Sequence, residues 1–314
     1  MSRRLRVEDL TDLAVPSLPA LSPDGSRIAY VLRTLDAVDD RAIDRLWLVG
    51  TDGAAPRRLT SGPADTAPAW SPDGRRIAFL RDGQVAVLDA GGGEPERLTD
   101  LPLGAGAPHW SPDGRRLAFT APVDPTGGAR APMVSDGLDY QADGEGMRGP
   151  VRRHLHVLDL DGGGIRQITD GPESAGALAW SPDGTVLAFT RRAGADSDLR
   201  HRAPVHLLEV DAPHARPRVL AFADGVAATV GWVADGSALL VVGWSGDPAG
   251  HARLYRVDAA GGEAADLSGA LDRNVMPGAP AYPGGLPQEH EGRVVFCLRD
   301  HGCTHLWSVT TGGR

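Results

Sequence analysis

Five copies of a short phrase organise this 314-residue chain. They start at Leu21, Trp70, Trp110, Trp180 and Trp232; the first four continue as Ser-Pro-Asp-Gly and the fifth as Val-Ala-Asp-Gly. Proline fixes φ at the second position of a turn, aspartate bonds to nearby backbone, and glycine accepts the positive φ that reverses the chain. The phrase therefore predicts a tight turn, and its spacings of 49, 40, 70 and 52 residues indicate stacked repeating units.

Strand signals surround each turn. An apolar run follows it, as at 76–80 and 185–189, which is typical of a strand covered on both faces. A third strand with an apolar or aromatic centre comes next, and a fourth ends in a sequence such as Arg-Leu-Thr at 58–60. Six such units predict an all-β chain, a β-propeller of four-stranded antiparallel blades. The residues assigned to the four intact turns are Pro23, Asp24, Gly25, Trp70, Asp73, Gly74, Trp110, Asp113, Gly114, Trp180, Asp183 and Gly184.

The repeats also predict the division of the chain. A lead-in at 1–18, with one or two helical turns near 8–13, precedes a propeller at 19–314. The blades are predicted near 19–66, 67–106, 107–176, 177–228, 229–275 and, partially, 279–314. The long third interval requires an insertion, which we place at 121–150 between the second and third strands of its blade. Loops of this length are usually functional or disordered.

Composition excludes several classes of function. The formal net charge is -9 and no Arg run exceeds two residues, which argues against a nucleic-acid partner. The pairs at 75–76, 115–116 and 152–153 are interpreted as solvated strand edges. No stretch is long and apolar enough for a membrane span, and the amino end lacks the apolar region of a secretory signal, so a cytoplasmic protein is expected. No motif predicts a cofactor.

The two cysteines lie near the carboxyl end. A hairpin centred on Asp300 would set Cys297 and Cys303 opposite each other, and His301 and His305 are close in sequence. A metal site is one interpretation of this group, but the spacing does not match paired Cys-x-x-Cys zinc motifs and residues on one strand do not converge as a tetrahedron. A reduced pair of thiols in a hairpin is the other interpretation.

The repeated phrase occurs together with two longer segments, Leu-Asp-Tyr-Gln-Ala-Asp-Gly-Glu-Gly at 138–146, and Gly-His-Ala-Arg-Leu-Tyr-Arg-Val at 250–257 followed by Leu-Asp-Arg-Asn-Val at 271–275. With these the chain resembles the amino-terminal propeller of prolyl oligopeptidase family serine peptidases, and most of all the acylaminoacyl peptidase and dipeptidyl aminopeptidase-like branch. TolB-like propellers share the turn phrase but not the longer segments.

The resemblance implies a seven-bladed propeller followed by an α/β-hydrolase domain. We therefore expect that the 314 residues, with about six blades and an unclosed ring, are a fragment or truncated product whose catalytic partner domain is missing. The family's nucleophile motif is Gly-x-Ser-x-Gly. The nearest sequence, at 243–247, has Asp247 in place of the second glycine and is interpreted as a loop of the fifth blade. No catalytic residue is assigned, and the chain alone is expected to be inactive.

In this family the propeller filters access of short peptides to the nucleophile. The insertion would lie on the face opposite the Ser-Pro-Asp-Gly turns, and within it Tyr140, Asp143 and Glu145 are candidate substrate contacts. A carboxylate there could pair with the free amino group of a peptide. The alternative is that 143–146 forms only a solvated turn.

Two other functions remain open. The chain could be a stand-alone TolB-like propeller that binds another protein, although such proteins normally carry an export signal. A carbohydrate-processing propeller would need acidic residues clustered at the channel, and the sequence shows no such cluster.

Overall fold

The computed structural model describes residues 4, 6–127, 138, 140–142, 146–147, 149–162, 164–192, 197–212, 214–278 and 284–312. Within these ranges the chain forms six four-stranded antiparallel sheets, the blades of a β-propeller fold, so the predicted all-β class is confirmed. By internal contacts it divides into two compact units, Met1–Pro122 with His156–Arg166, and Val123–Leu155 with Gln167–Arg314.

The first unit contains the first two sheets and most of the third. A 3₁₀ helix, Val7–Asp12, precedes them. Sheet 1 contains β1 (Val15–Leu21), β2 (Arg27–Asp36), β3 (Arg41–Gly50) and β4 (Arg57–Arg58). Sheet 2 contains β5 (Asp65–Trp70), β6 (Arg76–Arg81), β7 (Gln84–Asp89) and β8 (Glu96–Arg97). Sheet 3 begins with β9 (His109–Trp110) and β10 (Arg116–Val123); a separate pair, β11 (Gln141–Ala142) and β12 (Gly146–Met147), precedes its β13 (Arg152–Asp159) and β14 (Ile165–Gln167).

The second unit contains the other three sheets. Sheet 4 contains β15 (Ala175–Trp180), β16 (Val186–Arg191), β17 (Val205–Glu209) and β18 (Arg218–Ala221), with the short helix α1 (Ser197–Arg200) between β16 and β17. Sheet 5 contains β19 (Val226–Trp232), β20 (Ala238–Trp244), β21 (Arg253–Asp258) and β22 (Ala265–Asp266). Sheet 6 contains β23 (Asn274–Val275), β24 (Gln288–His290), β25 (Arg293–Asp300) and β26 (Cys303–Thr310).

The Ser-Pro-Asp-Gly phrase forms the turn between the first two strands of a sheet. In sheet 2, the Ser71 hydroxyl donates to Asp73 at 2.6 Å and accepts the Arg76 amide at 2.9 Å, and Gly74 has a φ of 68°. The same bonds recur in sheets 1, 3 and 4. Because the hydroxyl bonds to both the turn and the start of the second strand, it fixes where that strand begins.

The turn carboxylates are held in the ionised form. In the first turn, the hydroxyl of Ser22 together with the backbone amide and hydroxyl of Ser26 donates to Asp24 and lowers the pKa of this carboxyl to about 2. Hydroxyl and amide donors lower the pKa of Asp73, Asp113, Asp183 and Asp235 in the same direction. Hydrogen bonds to the charged form of a carboxyl group favour that form, so the aspartates of these turns stay ionised well into the acid range.

In three pairs of sheets, the tryptophan of the phrase connects a sheet to the preceding one. Within the first unit, the Nε1 of Trp70 donates to the Ala20 carbonyl at 2.9 Å, and that of Trp110 donates to Ala69 at 3.0 Å. Within the second unit, Trp232 donates to Ala179 at 3.2 Å. The acceptors are first-strand residues at matching positions. This bond therefore fixes how far one sheet is shifted along its strands relative to the next.

Two arginines that follow turns, Arg27 and Arg76, also connect neighbouring sheets, which corrects the interpretation of Arg76 as a solvated edge. The guanidinium of Arg76 lies 4.9 Å from the ring centroid of Trp110 and donates to the Gly114 carbonyl at 3.2 Å. Arg27 makes the equivalent contacts with Trp70 and Gly74. Cation–π contacts of this kind contribute about 0.5–2 kcal/mol each, depending on desolvation.

A hydroxyl fastens the fourth strand to the third in four of the sheets. In sheet 2, the Thr99 hydroxyl accepts the Val85 amide at 2.9 Å and donates to the Gln84 side chain at 2.7 Å. Thr60, Thr169 and Ser268 accept third-strand amides in the same way in sheets 1, 3 and 5. The short fourth strand is thus held by a side chain as well as by its backbone.

The core consists of the apolar second and third strands packed between sheets. Phe79, Phe119 and Phe189 occupy matching second-strand positions and are completely buried, and Phe296 is nearly so. Apolar clusters join sheets 1 and 2, and 2 and 3, in the first unit, and sheets 4 and 5, and 5 and 6, in the second. Burial on both faces explains why these strands are continuous apolar runs.

The hairpin that closes sheet 6 differs from the sequence expectation. Its turn is centred on His301 and Gly302, with φ of 48° and 80°, so Cys303 pairs with Asp300 while Cys297 pairs with Leu306. Positive φ at both central residues is the hairpin geometry that matches strand twist. The two thiols are therefore not opposite each other. Among the described residues no group of three or more His, Cys, Asp or Glu side chains could hold a metal ion.

We expect Thr99→Val to destabilise the fold by about 1–3 kcal/mol, because it leaves the buried Val85 amide without its acceptor. Thr99→Ser is the matched control, since Ser268 performs the same task in sheet 5, and its loss should be clearly smaller. Urea unfolding followed by tryptophan fluorescence measures both. A loss in Thr99→Ser that is larger than the loss in Thr99→Val would show that the methyl group, and not the hydroxyl, holds the fourth strand.

Candidate functional site

The predicted insertion leaves sheet 3 at the end opposite its turn. We call this the loop end of a sheet, where the second strand ends and the third begins. Between β10 and β13, Gln141 pairs with Met147 and Ala142 with Gly146. Tyr140, the first candidate substrate contact, precedes this pair and is 47% exposed. The other two candidates, Asp143 and Glu145, lie outside the described residues.

The partial nucleophile motif lies where the sequence placed it, after the second strand of sheet 5. Gly243 is within β20, and a Cβ at this position would contact the Val226 carbonyl of the neighbouring strand. Ser245 follows the strand in a bend and accepts a hydrogen bond from the Tyr255 hydroxyl at 3.3 Å. A strand-to-helix turn of the kind that exposes a nucleophilic serine is not formed here.

An arginine ends the second strand, or lies close to its end, in three sheets. In sheet 1, Arg33 forms a two-point ion pair with Asp44, at 2.8 and 2.6 Å. In sheet 2, Arg81 forms one with the fully buried Asp65, at 2.8 and 2.9 Å. Both guanidinium groups therefore have a carboxylate partner within the fold, and in each case the carboxylate raises the pKa of the arginine.

Sheet 4 keeps the arginine but not the carboxylate. Arg191 ends β16 and pairs in register with Ala175, just as Arg81 pairs with Asp65. The Arg191 Nη1 donates to the Asp170 carbonyl at 3.3 Å, while its buried Nε has no hydrogen-bond partner. In the described part of the chain, Arg191 forms no ion pair.

A second arginine, Arg152, bonds to the backbone at 170–172, the segment to which Arg191 also bonds. Arg152 begins β13, at the base of the insertion, and its Nε donates to the Pro172 carbonyl at 2.6 Å. Its Nη1 donates to the carbonyls of Gly149 and Val151 at 2.8 and 2.9 Å. Arg152 is thus half-buried and structural, which corrects its interpretation as a solvated edge. We call Arg152, Arg191 and the segment 170–172 the arginine site.

A buried histidine lies close enough to Arg191 to be affected by its charge. His206, in β17, is 6% exposed and stacks on Phe189 with ring centroids 5.5 Å apart. Its Nδ1 lies 3.2 Å from the Pro204 carbonyl. Burial and the positive charge of Arg191 both lower the pKa of His206, and the contact with Pro204 raises it by less. A neutral imidazole adds no positive charge to those of Arg152 and Arg191.

The arginine site can bind an anion. Two guanidinium groups donate to carbonyls two residues apart, and guanidinium is the group best suited to two-point recognition of a carboxylate. Sequence reasoning overlooked Arg191. The signal was available in the repeats, because Asp65 and Arg81 are separated by the same 16 residues as Ala175 and Arg191.

A cavity of about 260 Å³ lies elsewhere in sheet 4. Its lining includes Val186, Leu207, Glu209, Arg216 and Arg218. Val186 begins the second strand and Glu209 ends the third, so the cavity is at the turn end, opposite the arginine site. Arg218 provides a natural control for the arginine site.

Among the described residues, no helix is both long and apolar enough to cross a membrane.

Comparison with known proteins relates the chain to peptidases. It is 28% identical over 224 residues to the uncharacterized peptidase YuxL of Bacillus subtilis, a match that covers 66% of this chain and 34% of YuxL. The acylaminoacyl peptidase of Pyrococcus horikoshii has a similar structure, with a TM-score of 0.74 and 18% identity over 96% of this chain and 46% of that one. No protein-family model matches.

Two other structures share the fold. The propeller domain of the Trilobed protease of Pyrococcus furiosus gives a TM-score of 0.63 at 17% identity, covering 95% of this chain and 81% of that one. TolB of Acinetobacter baumannii gives 0.55 at 21%, covering 91% and 64%. The chain has the propeller fold of the acylaminoacyl and prolyl oligopeptidase group, as its sequence predicts. It spans about a third of YuxL and under half of the acylaminoacyl peptidase.

The lowered pKa of His206 predicts a dependence of stability on pH. In the unfolded chain the imidazole takes up a proton near pH 6.5, whereas the folded chain resists this, so stability decreases as the pH falls through 6.5. Burial lowers the pKa of His109 to about 4 and acts in the same direction. Denaturant unfolding at pH 7.5 and pH 5 should show the loss.

His206→Phe should reduce this loss without removing it, because His109 remains. Other sheets accept an aromatic residue at this register position, Trp47 in sheet 1 and Tyr255 in sheet 5. His290→Gln, at an exposed site, is the control and should retain the full dependence. If His206→Phe responds to pH as the wild type does, His206 is not a source of the effect.

Proposed function

We propose that this chain is the propeller part of a serine peptidase that hydrolyses short peptides, and that an α/β-hydrolase domain outside these 314 residues supplies the chemistry. The likeness to YuxL carries this proposal, since it extends over two thirds of the chain and goes together with the propeller fold. The peptidase relatives are much longer than the chain, which leaves room for such a domain.

The catalytic part of the proposal agrees with the residues present. Ser245 is the serine nearest to a nucleophile motif, and it is followed by a bend and accepts a bond from Tyr255. Asp247 replaces the glycine that lets a helix pack close behind the nucleophile. Hydrolysis therefore requires a serine from elsewhere.

The propeller would control which substrates reach that serine. Its loop ends carry the exposed Tyr140 and the arginine site, both suited to contact with extended peptides. The proposed role of Asp143 and Glu145 is to pair with the free amino group of a substrate, as a charge-assisted hydrogen bond that favours exopeptidase activity.

Labelling with a serine-directed fluorophosphonate tests whether the nucleophilic serine lies outside these 314 residues. The 314-residue chain should not react, and Ser245→Ala should change nothing, whereas the product of the gene extended beyond codon 314 should be labelled and should release product from short peptides. Labelling of the short chain that depends on Ser245 would contradict the proposal. So would a stop codon directly after residue 314.

Glu145→Gln tests the substrate contact in the extended protein. We expect kcat/KM to fall about tenfold for peptides with a free amino terminus, because a hydrogen bond to a charged group contributes about 1.5–3 kcal/mol, and to stay unchanged for acetylated peptides. Asp247→Asn, in an exposed loop-end bend of sheet 5, is the control. An equal change for both kinds of peptide would reject the contact.

A second function is an interaction propeller of the TolB kind. The observation that favours it is the structural likeness to TolB, which covers 91% of this chain. Under this reading no downstream nucleophile exists and the rim binds another protein. The gene sequence beyond codon 314 separates the two functions.

A further inference from the structure

We infer that the arginine site binds a carboxylate of an incoming peptide, and that Arg191 provides the specific contact. The inference starts from the comparison of sheets 2 and 4. At one register position Arg81 is paired with a buried acid, and at the same position of sheet 4 the acid is replaced by Ala175, which is 3% exposed. The arginine is kept, while no described residue of sheet 4 takes the place of the acid.

An arginine in this state is costly to the fold. A cation that is partly removed from water without a counter-charge is destabilising unless something pairs with it. The buried Nε of Arg191 is also without an acceptor. The same is true of the Nε atoms of Arg45 and Arg256, so this feature alone does not identify a site. The register comparison does, together with a second guanidinium bonded to the same segment.

The geometry favours an oxyanion, and in a peptide that group is a carboxylate. With the Nε of Arg191 buried, the two η nitrogens of the planar guanidinium are the donors that would bond the two oxygens of a carboxylate. The carbonyls of Asp170 and Pro172 accept bonds from Arg191 and Arg152 and hold these side chains in place. Burial and the charge of Arg191 lower the pKa of His206, which disfavours a third positive charge beside the two arginines.

The role of this contact in selecting substrates rests on the proposed function. A peptide whose α-carboxylate is held at the loop end of sheet 4 would be oriented by its carboxyl terminus. Binding of the carboxylate itself depends only on residues of this chain and can be measured without catalysis.

The test compares three blocked tripeptides by calorimetry on the 314-residue protein at low salt. N-acetyl-Ala-Ala-Phe carries a free carboxylate, its carboxamide carries no charge, and N-acetyl-Ala-Glu-Ala carboxamide carries a side-chain carboxylate. We expect the free acid to bind about tenfold more tightly than its amide, with the preference reduced in 0.5 M NaCl. The third peptide shows whether the α-carboxylate or any carboxylate is recognised.

Arg191→Gln should abolish the preference for the acid over the amide. Arg218→Gln, at the opposite end of the same sheet, should keep it. A wild-type protein that binds acid and amide equally, or binds neither at millimolar concentration, would overturn the inference, as would a preference that survives Arg191→Gln. These outcomes do not depend on whether a hydrolase domain exists, so failure here leaves the peptidase proposal standing.

Thermal unfolding provides an independent readout. Arg81→Gln leaves Asp65 buried and unpaired, and its Tm should fall markedly. Arg191→Gln removes a charge that has no acidic partner among the described residues, and its Tm should stay the same or rise. A fall in the Tm of Arg191→Gln as large as that of Arg81→Gln would show that Arg191 is a structural residue, which also contradicts the inference.

Discussion

The hydrogen bond between the serine hydroxyl and the aspartate of each turn is the interaction on which the rest of the architecture depends. It fixes the turn, and the same hydroxyl accepts the amide that starts the second strand. Once this strand is placed, the arginine at its start reaches the tryptophan and the glycine carbonyl of the next turn. A local turn is in this way coupled to the spacing between sheets.

This coupling explains why the phrase is longer than a turn requires. Pro, Asp and Gly suffice to reverse a chain, but the tryptophan before them donates to the preceding sheet and the arginine after them contacts the following one. Sheet 4 shows what happens when one part is lost. Val186 replaces the arginine and packs against the apolar cluster shared with sheet 5, so dispersion takes the place of the cation–π contact.

The sequence predicts the strands, the turns and the number of sheets because each depends on residues near in the chain. It does not predict contacts that need register. The interpretation of Arg76 and Arg152 as solvated was wrong because their partners, Trp110 and Pro172, are 34 and 20 residues away. The expected thiol pair was wrong because the turn is centred on His301 and Gly302 rather than on Asp300.

The candidate site was likewise predicted only in part from the sequence. Tyr140 was selected from its place in a long loop, and the structure shows that it is exposed, whereas Asp143 and Glu145 stay predictions. Arg191 could not be singled out from composition, because arginines are common in this chain. It takes an alignment of one repeat on another, in sequence or in register, to show that Asp65 has no counterpart opposite Arg191.

The repeated sheets allow the replacement of Asp65 by Ala175 to be interpreted. In a repeat fold each sheet is a control for its neighbours, and a residue that all sheets share is explained by stability. A charge kept without an acidic partner among the described residues is not explained in that way. Proteins accept such local instability mainly where a ligand restores the missing interaction. The loop end of sheet 4 is for this reason the part of the described surface where binding and stability are in conflict.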